Sequence, residues 1–526
     1  MKGMRRVEFI GAITLSIFAL ALLGVRATHA GALWRDECAS VATATLPNFS
    51  EVLHYFQFES FPLPFVLGLR GYIAIAGNSD ASLRVFGALV GVSLLLVGWW
   101  TARRLRLDVP LVFLTFAVLN PAFLVWGTTI RGYGMGSVMI VFALAATANF
   151  LSNGKTRNAF LMTIAFVAAV QCLVSNTAFV FAICLSAISV CFSRGNRRMA
   201  AVIAGALGIA ALSFLPYIAT YSKMGWRVSL QTNVSLSALW QTFCDTLGAR
   251  SHVTAVAWLV LLLIGVIPFV ICLTKRTVPP LPTFALLVGF FSLVGTYIFL
   301  KLLSYQPQRW YFLPLVCLLA SAVDFAIVGL GAPVAIRFVR LLGCLVGFLG
   351  TWSSSCSTVI ERQSNVDLIA NWVGAQARAG DLVLVNPWFF GVSFNRYYRG
   401  VAPWLTVPIL SDLRIHRYDL IREKMCEEDP LRDLRPTIES TLRNGGRVYL
   451  VGGVQLVGEN ERALVLPPAP RSQYGWKYLP YVTAWSQQIA EFLQAHVQTS
   501  AEVPPFAERV NPEENVPLWQ VAGWYD

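Results

Sequence analysis

Charge is what this sequence has least of. Asp, Glu, Lys and Arg together make 13% of its 526 residues, about half of what a soluble globular chain carries. Hydrophobic residues make 56% and mean hydropathy is +0.60. Acidic residues are scarcest in the N-terminal two thirds, where residues 1–354 hold nine: Glu8, Asp36, Glu37, Glu51, Glu59, Asp80, Asp108, Asp245 and Asp324. The ten cysteines include no CxxC pair and no Cys/His spacing suited to zinc. A disulfide-stapled secreted module is thereby excluded, and most of the cysteines, lying in apolar runs, read as small core hydrophobes. Internal repeats and low-complexity tracts are missing, which excludes collagen-like and disordered chains. These absences leave a polytopic membrane protein.

The net charge of +13 divides unevenly: residues 1–354 carry +16 and residues 355–526 carry −3. The basic excess therefore accompanies the apolar segments and reports membrane orientation. No soluble stretch bears an aromatic-interleaved basic stripe, so nucleic acid is not a partner on this reading. Apolar segments able to span a bilayer fall at 9–25, 83–100, 110–126, 132–151, 159–174, 177–192, 199–217, 255–273, 281–300, 311–330 and 334–352. Between them lie basic clusters at Arg5 and Arg6; Arg103, Arg104 and Arg106; Lys155 and Arg157; Arg194, Arg197 and Arg198; Lys275 and Arg276; and Arg337 and Arg340. Every second loop is basic, so the expectation is about eleven spans, N-terminus inside and C-terminus outside. Leu63–Ala76, apolar but short, follows Pro62 and contains Arg70. Counting it as a span would invert every later cluster, so it reads as a helix in the outer interface. Thr28-His29-Ala30 resembles a signal-peptidase site, but the 17-residue run Phe9–Val25 exceeds the usual apolar region of about 7–15, and it reads as a retained span.

Residues 1–354 thus form a multi-span domain with an outer loop at 28–80. Residues 355–526 read as an extracytoplasmic soluble domain of mixed α/β type. Helices are expected at 367–379 and 431–443 and strands at 381–385 and 447–451. The Pro- and aromatic-rich tail from Pro467 is expected to be irregular. The glycines of "GGVQLVGEN" at Gly452 lack phosphate-loop spacing and read as a turn after a strand.

Four of the nine acids fall between Asp36 and Glu59, in the first outer loop. Asp36-Glu37, in "ALWRDECAS", sits about ten residues beyond the first span, where a carboxylate is costly unless paired or used. A plain ion pair of Asp36 with Arg35 competes with a functional reading. Under the expected topology Arg84, Arg131 and Arg309 also lie at the outer edge, each at the end of a different span. The positive-inside rule disfavours them there, and phosphate is the partner a guanidinium fork matches bidentately. An anionic phosphate leaving group needs positive charge, and an acceptor hydroxyl needs a base. One carboxylate pair and several outward arginines suit a lipid-linked sugar phosphate.

At these residues the sequence resembles a known family. "RDECASVATATLPNFSEVL" and "FESFPLPFVLGLRGYIAIAGNSDASLRVFGAL" resemble the opening of the bacterial GT-C membrane glycosyltransferases of families 39 and 83, whose members include aminoarabinose transferases and protein O-mannosyltransferases. Asp36-Glu37, Pro62-Leu63 and Gly77 through Arg84 match the acidic pair, the proline step and the approach to the second span. "NPAFLVWGTTIRGYG", with Asn120, Pro121, Arg131 and Tyr133, and "PQRWYFLP", with Arg309 and Tyr311, are similar to later blocks of that family. The sequence departs from it at Thr128-Thr129, where relatives often carry Gln-Glu, at Ser60-Phe61 before Pro62, and at Ser175-Asn176-Thr177. The resemblance implies a transferase of the bacterial inner membrane that takes a sugar from a polyprenyl phosphate and passes it, with inversion, to a lipid, glycan or protein acceptor. It implies Asp36, Glu37 and Glu59 as catalytic carboxylates, Asp36 as base, and Arg35, Arg84, Arg131, Tyr133, Arg309 and Tyr311 at the donor phosphate. No cofactor follows from it. His29 and His54 do not make a metal site by spacing, though a divalent ion is compatible with such a donor.

Two rival readings stand beside this one. A flippase of lipid-linked saccharides would need charge near mid-membrane and paired broken helices, and only Asp324 lies deep within an expected span. A catalytically inactive glycan-binding relative would not need Asp36. Trp388, Tyr397, Tyr398 and Trp404 offer rings for sugar stacking, or for packing of a domain seated on the membrane.

Overall fold

The computed structural model describes every residue except 1, 225, 250, 275–278, 330–332, 459–460 and 505. The basic pair Lys275–Arg276 and the last residue of the segment 311–330 lie outside the described residues. Two compact units emerge: one of Met1–His29, Phe61–Ile218 and Asn233–Ile360, the other of Ala30–Ser60, Ala219–Thr232 and Glu361–Asp526.

The first unit is helical. Among the described residues eight helices are long and apolar enough to cross a membrane: Gly3–His29, Asp80–Leu105, Gly132–Asn153, Asn176–Ser193, Arg197–Thr220, Pro280–Leu303, Arg309–Val328 and Val334–Ile360. Leu63–Ala76, Thr156–Cys172 and His252–Ile267 are shorter apolar helices. The chain is an integral membrane protein. Arg309–Val328 is 89% buried over its most apolar window and Gly132–Asn153 is 78% buried, so these two form the centre. Arg197–Thr220, at 22%, turns leucine and isoleucine outward, as a lipid-facing helix must. Local chemistry sets the helix ends. Ser79 accepts from the Ser82 amide at the start of Asp80–Leu105, and Gly154, with φ +63°, closes Gly132–Asn153.

The expected span 110–126 is not a regular helix. It holds one α turn at Leu111–Phe113 and π-helical turns at Leu114–Val118 and Phe123–Gly127, separated at Asn120-Pro121. Pro121 brings no N–H to the ladder and its ring disfavours helix before it. Side chains supply what the broken ladder loses. Asn120 Oδ1 accepts from the amides of Ala122 (2.8 Å) and Phe123 (3.2 Å), and its Nδ2 donates to Thr246 O at 2.8 Å. Asp324 accepts from the amides of Val112 (3.2 Å) and Phe113 (3.0 Å), and Ser355 donates to Leu119 O. Two glycines let the helices around this segment close on it. A Cβ on Gly87 would collide with Thr128 O, and one on Gly134 with Gly127 O.

The basic residues Arg337 and Arg340 are buried rather than solvated. Arg340 Nη2 and Arg337 Nη1 each donate to Glu8 at 2.7 Å, Arg337 Nη2 donates to Asp108 at 2.7 Å, and Arg340 Nη1 stands 3.5 Å from Asp324. The network ties the first and last long helices to Arg309–Val328 and the broken segment.

The second unit is built on a five-stranded mixed sheet. Its strands are β1 (Leu382–Val385), β2 (Trp404–Thr406), β3 (Arg447–Val451), β4 (Val497–Glu502) and β5 (Leu518–Trp524), in the order β2-β1-β3-β5-β4. β1 pairs parallel with β2 and β3, and β5 runs antiparallel to β3 and β4. Alternation sorts the side chains of the central strands. Leu382, Leu384, Val448 and Leu450 pack with Leu434–Arg443 and Tyr478–His496 on one face. Val383, Val385, Tyr449 and Val451 pack with Val366–Gln376 and Phe390–Tyr397 on the other. The helices and strands expected between 367 and 451 form within a few residues of their expected bounds. The tail expected to be irregular instead contributes the 19-residue helix Tyr478–His496 and both antiparallel strands. Tyr478, Tyr481, Val482, Trp485, Ile489 and Leu493 line its buried side at helical spacing.

Candidate active site

In the unit carrying the sheet, the acidic pair opens the helix Arg35–Ala44, where the dipole favours negative charge. The two acids are used differently. Glu37 is fully buried and accepts from the Trp34 amide at 3.1 Å, closing the first turn. Asp36 is 26% exposed, and its Oδ1 accepts from His416 Nε2 at 3.1 Å. Arg35 Nε lies 3.8 Å from the same oxygen, while Arg35 Nη1 donates to Glu514 at 2.6 Å. The Arg35 guanidinium also lies 4.7 Å from the Phe389 ring centroid.

These contacts set the electrostatics. Burial pushes the Glu514 carboxyl up to about 7, outweighing the downward pull of Arg35. Burial disfavours the Arg35 charge, but Glu514 and then Asp36 more than offset it, and its pKa is raised. Tyr478 is pushed up to about 12, first by burial, against the pull of Arg35. Glu59 accepts from Ser40 Oγ at 3.0 Å and the Ser60 amide at 2.8 Å. Ser40 is one helical turn beyond Asp36, on the same side of the helix.

His416 is a residue that sequence reasoning missed. It lies in the segment 412–419, which Tyr55 holds by accepting from Arg414 at 2.5 Å and donating to Asp412 at 3.4 Å. Arg417 bridges Asp412 (2.9 Å) and Asp419 (2.6 Å) and stands 4.9 Å from the Phe58 ring. A lone histidine 380 positions from its partner carries no sequence signal. Of the rings offered for sugar stacking, Trp388 is fully buried, Tyr398 stacks on Phe394 at 4.8 Å, and Tyr397 accepts from the Leu33 amide. Trp388 and Tyr398 act as core, and Tyr397 packs partly buried against it.

In the helical unit, Arg131 and Tyr133 open the helix Gly132–Asn153, both buried. The Arg131 guanidinium lies 4.4 Å from the Phe61 ring centroid, and Tyr133 meets Phe61 edge-on at 5.2 Å. Tyr133 also meets Trp310 at 5.9 Å and Tyr311 at 6.3 Å, and Trp310 packs on Trp126 at 4.5 Å. Three sequence blocks thus converge: Phe61 before the proline step, the Arg131–Tyr133 block and the Arg309–Tyr311 block. Arg84 is buried in the second turn of Asp80–Leu105, and the Arg309 carbonyl lies 3.4 Å from Thr246 Oγ1. Among the described residues no cluster of His, Cys, Asp and Glu could hold a metal ion.

No protein-family model and no curated protein matches the chain. Among solved structures it is similar to ArnT from Cupriavidus metallidurans in the apo state, with a TM-score of 0.50 and 12% identity over 84% of this chain and 92% of that one. It is also similar to the same protein bound to undecaprenyl phosphate, with a TM-score of 0.48 and 11% identity over the same shares. The chain thus shares the fold of that structure, a helical membrane unit with a mixed α/β C-terminal region.

Proposed function

We propose that the protein is a membrane glycosyltransferase that moves a sugar from a polyprenyl phosphate to an acceptor hydroxyl on the extracytoplasmic side of a bacterial inner membrane. The observation that carries this reading is Asp36. In a chain of GT-C fold, an incompletely buried carboxylate stands at a helix start, held by His416 and Arg35.

The acceptor hydroxyl attacks the anomeric carbon from the face opposite the phosphate, which inverts the configuration. Its proton goes to Asp36, the C–O bond to the phosphate breaks, and the electron pair leaves with the polyprenyl phosphate. The departing group is already anionic and requires cations rather than an acid. Arg84, Arg131 and Arg309 are proposed for that role from the sequence blocks they occupy. Glu37 maintains the helix start that carries Asp36, and Glu59 braces the same helix through Ser40.

A transporter of lipid-linked saccharides would need charge near mid-membrane available for transport, and helices broken in paired halves. Glu8 and Asp324, the acids buried there, are paired with Arg337 and Arg340, which favours the enzyme.

The test is transfer from a panel of radiolabelled polyprenyl-phosphate sugars by membranes carrying wild type or Asp36→Asn at equal protein level. Loss of a general base costs about 10²–10⁴-fold in rate. Undiminished transfer by the variant would remove Asp36 as the base.

A further inference from the structure

We propose that His416 is the positioning residue for Asp36: it donates from Nε2 to Oδ1, fixes the plane of the carboxylate and keeps it in the ionised form that can take a proton. The inference rests on the reading of Asp36 as the base and adds a residue from the C-terminal region to that site.

An ionised carboxylate only accepts, so the 3.1 Å contact assigns the proton to Nε2. The other ring nitrogen, Nδ1, is buried without a hydrogen-bond partner. No second hydrogen bond at Nδ1 therefore competes for the direction of the ring. Packing fixes its direction. Trp388, fully buried, meets the imidazole edge-on at 5.9 Å and 81°, and Tyr418 lies against it at 6.2 Å. The histidine side chain is only 12% exposed. A ring so constrained presents one N–H in one direction, which is what a carboxylate needs to be oriented rather than merely solvated.

Other charged and titratable groups also stand near Asp36. Arg35 spends its shortest contact on Glu514, at 2.6 Å against 3.8 Å to Asp36. Glu514 and Tyr478 act on Asp36 through space, Tyr418 acts on Arg35, and Arg417 pairs with Asp412 and Asp419. A hydrogen bond to the charged form lowers a carboxyl pKa. Deleting the His416 donor therefore moves Asp36 towards protonation and removes a contact that sets its plane.

Two variants separate this role from a structural one. His416→Ala removes the donor; His416→Gln can place an amide N–H near the same point. For transfer, His416→Ala is expected to lower kcat by about tenfold or more with the donor KM little changed, and to shift the acid limb of the kcat profile up by about one pH unit. His416→Gln is expected to recover most of both. A second readout needs no turnover: infrared difference spectra of 13C-Asp-labelled protein, wild type against Asp36→Asn, report Asp36 protonation across pH. In His416→Ala the Asp36 midpoint should rise, and in His416→Gln it should stay near wild type. Wild-type midpoint and kcat in His416→Ala would overturn the positioning role while leaving Asp36 as base. Full activity in Asp36→Asn would instead overturn the reading of the site itself. A fall in kcat that His416→Gln does not recover, with the Asp36 midpoint unmoved, would reduce His416 to a packing residue.

Discussion

Arg35 donates to Glu514 at 2.6 Å, joining the residue before the acidic pair to one 479 positions later. Glu514 is fully buried and pushed up to about 7 from 4.5, so the folded protein binds a proton there that the unfolded chain releases at lower pH. Stability from this site is complete below about 4.5 and is lost as pH rises through about 7. Thermal unfolding of the detergent-solubilised protein is expected to show the midpoint falling over that window. Glu514→Gln, neutral throughout, should flatten this part of the curve. An unchanged slope in the variant would show that Glu514 is not the group responsible.

The Glu8–Arg337–Arg340–Asp324 network makes a second prediction. Removing one partner leaves an unpaired buried charge, so Arg340→Met alone should destabilise by about 3–5 kcal/mol. Combining it with Asp324→Asn should recover a large part of the loss, because Asp324 is then no longer a buried charge without its arginine, whereas Glu8 still has Arg337. A double-mutant cycle on thermal midpoints measures the coupling, and strict additivity would contradict the network.

Close backbone approach is tested at Gly134. An added Cβ meets Gly127 O, an atom of the chain that cannot rotate away, so Gly134→Ala should cost about 1–3 kcal/mol or more. Gly208→Ala, where nothing lies within 4 Å of the added carbon, is the matched control and should be neutral or slightly stabilising. Equal midpoints for the two variants would argue against the tight passage.

Arg131 over Phe61 predicts a difference between arginine and lysine. Lysine keeps the charge but loses the planar fork and its stacking. Arg131→Lys is therefore expected to raise the donor KM by about tenfold, the scale of one cation–π contact of about 1.4 kcal/mol. Equal KM for donor in wild type and variant would mean that charge alone matters at this position.

Much of the fold was legible in the sequence because apolar length and composition report directly on the bilayer. The helices came close to their expected places, and so did Val366–Gln376, β1, Leu434–Arg443 and β3 in the second unit. Asp36, Glu37, Arg84, Arg131 and Arg309 stood out as charged groups beside apolar segments, while Tyr133 and Tyr311 came from the family resemblance. The break in 110–126 did not, since its apolar composition equals that of a regular span. Only the tertiary partners of Asn120 and Asp324 show how the loosened backbone is satisfied. Arg337 and Arg340 looked like one more loop cluster because Glu8 lies more than 300 positions away. The helix Tyr478–His496 was hidden by aromatic and proline-rich surroundings.

By itself the sequence determined that this chain lives in a membrane, where most of its apolar helices lie, and which carboxylates and arginines sit uneasily near them. Local hydropathy and local charge suffice for that, since the bilayer acts on each segment separately. Tertiary structure alone decided which of the two adjacent acids caps its own helix and which is held by a histidine from the far end of the chain. Hydrogen-bond partners are chosen by direction and distance after folding, and residues hundreds of positions apart carry no mutual signal until the chain has brought them within reach.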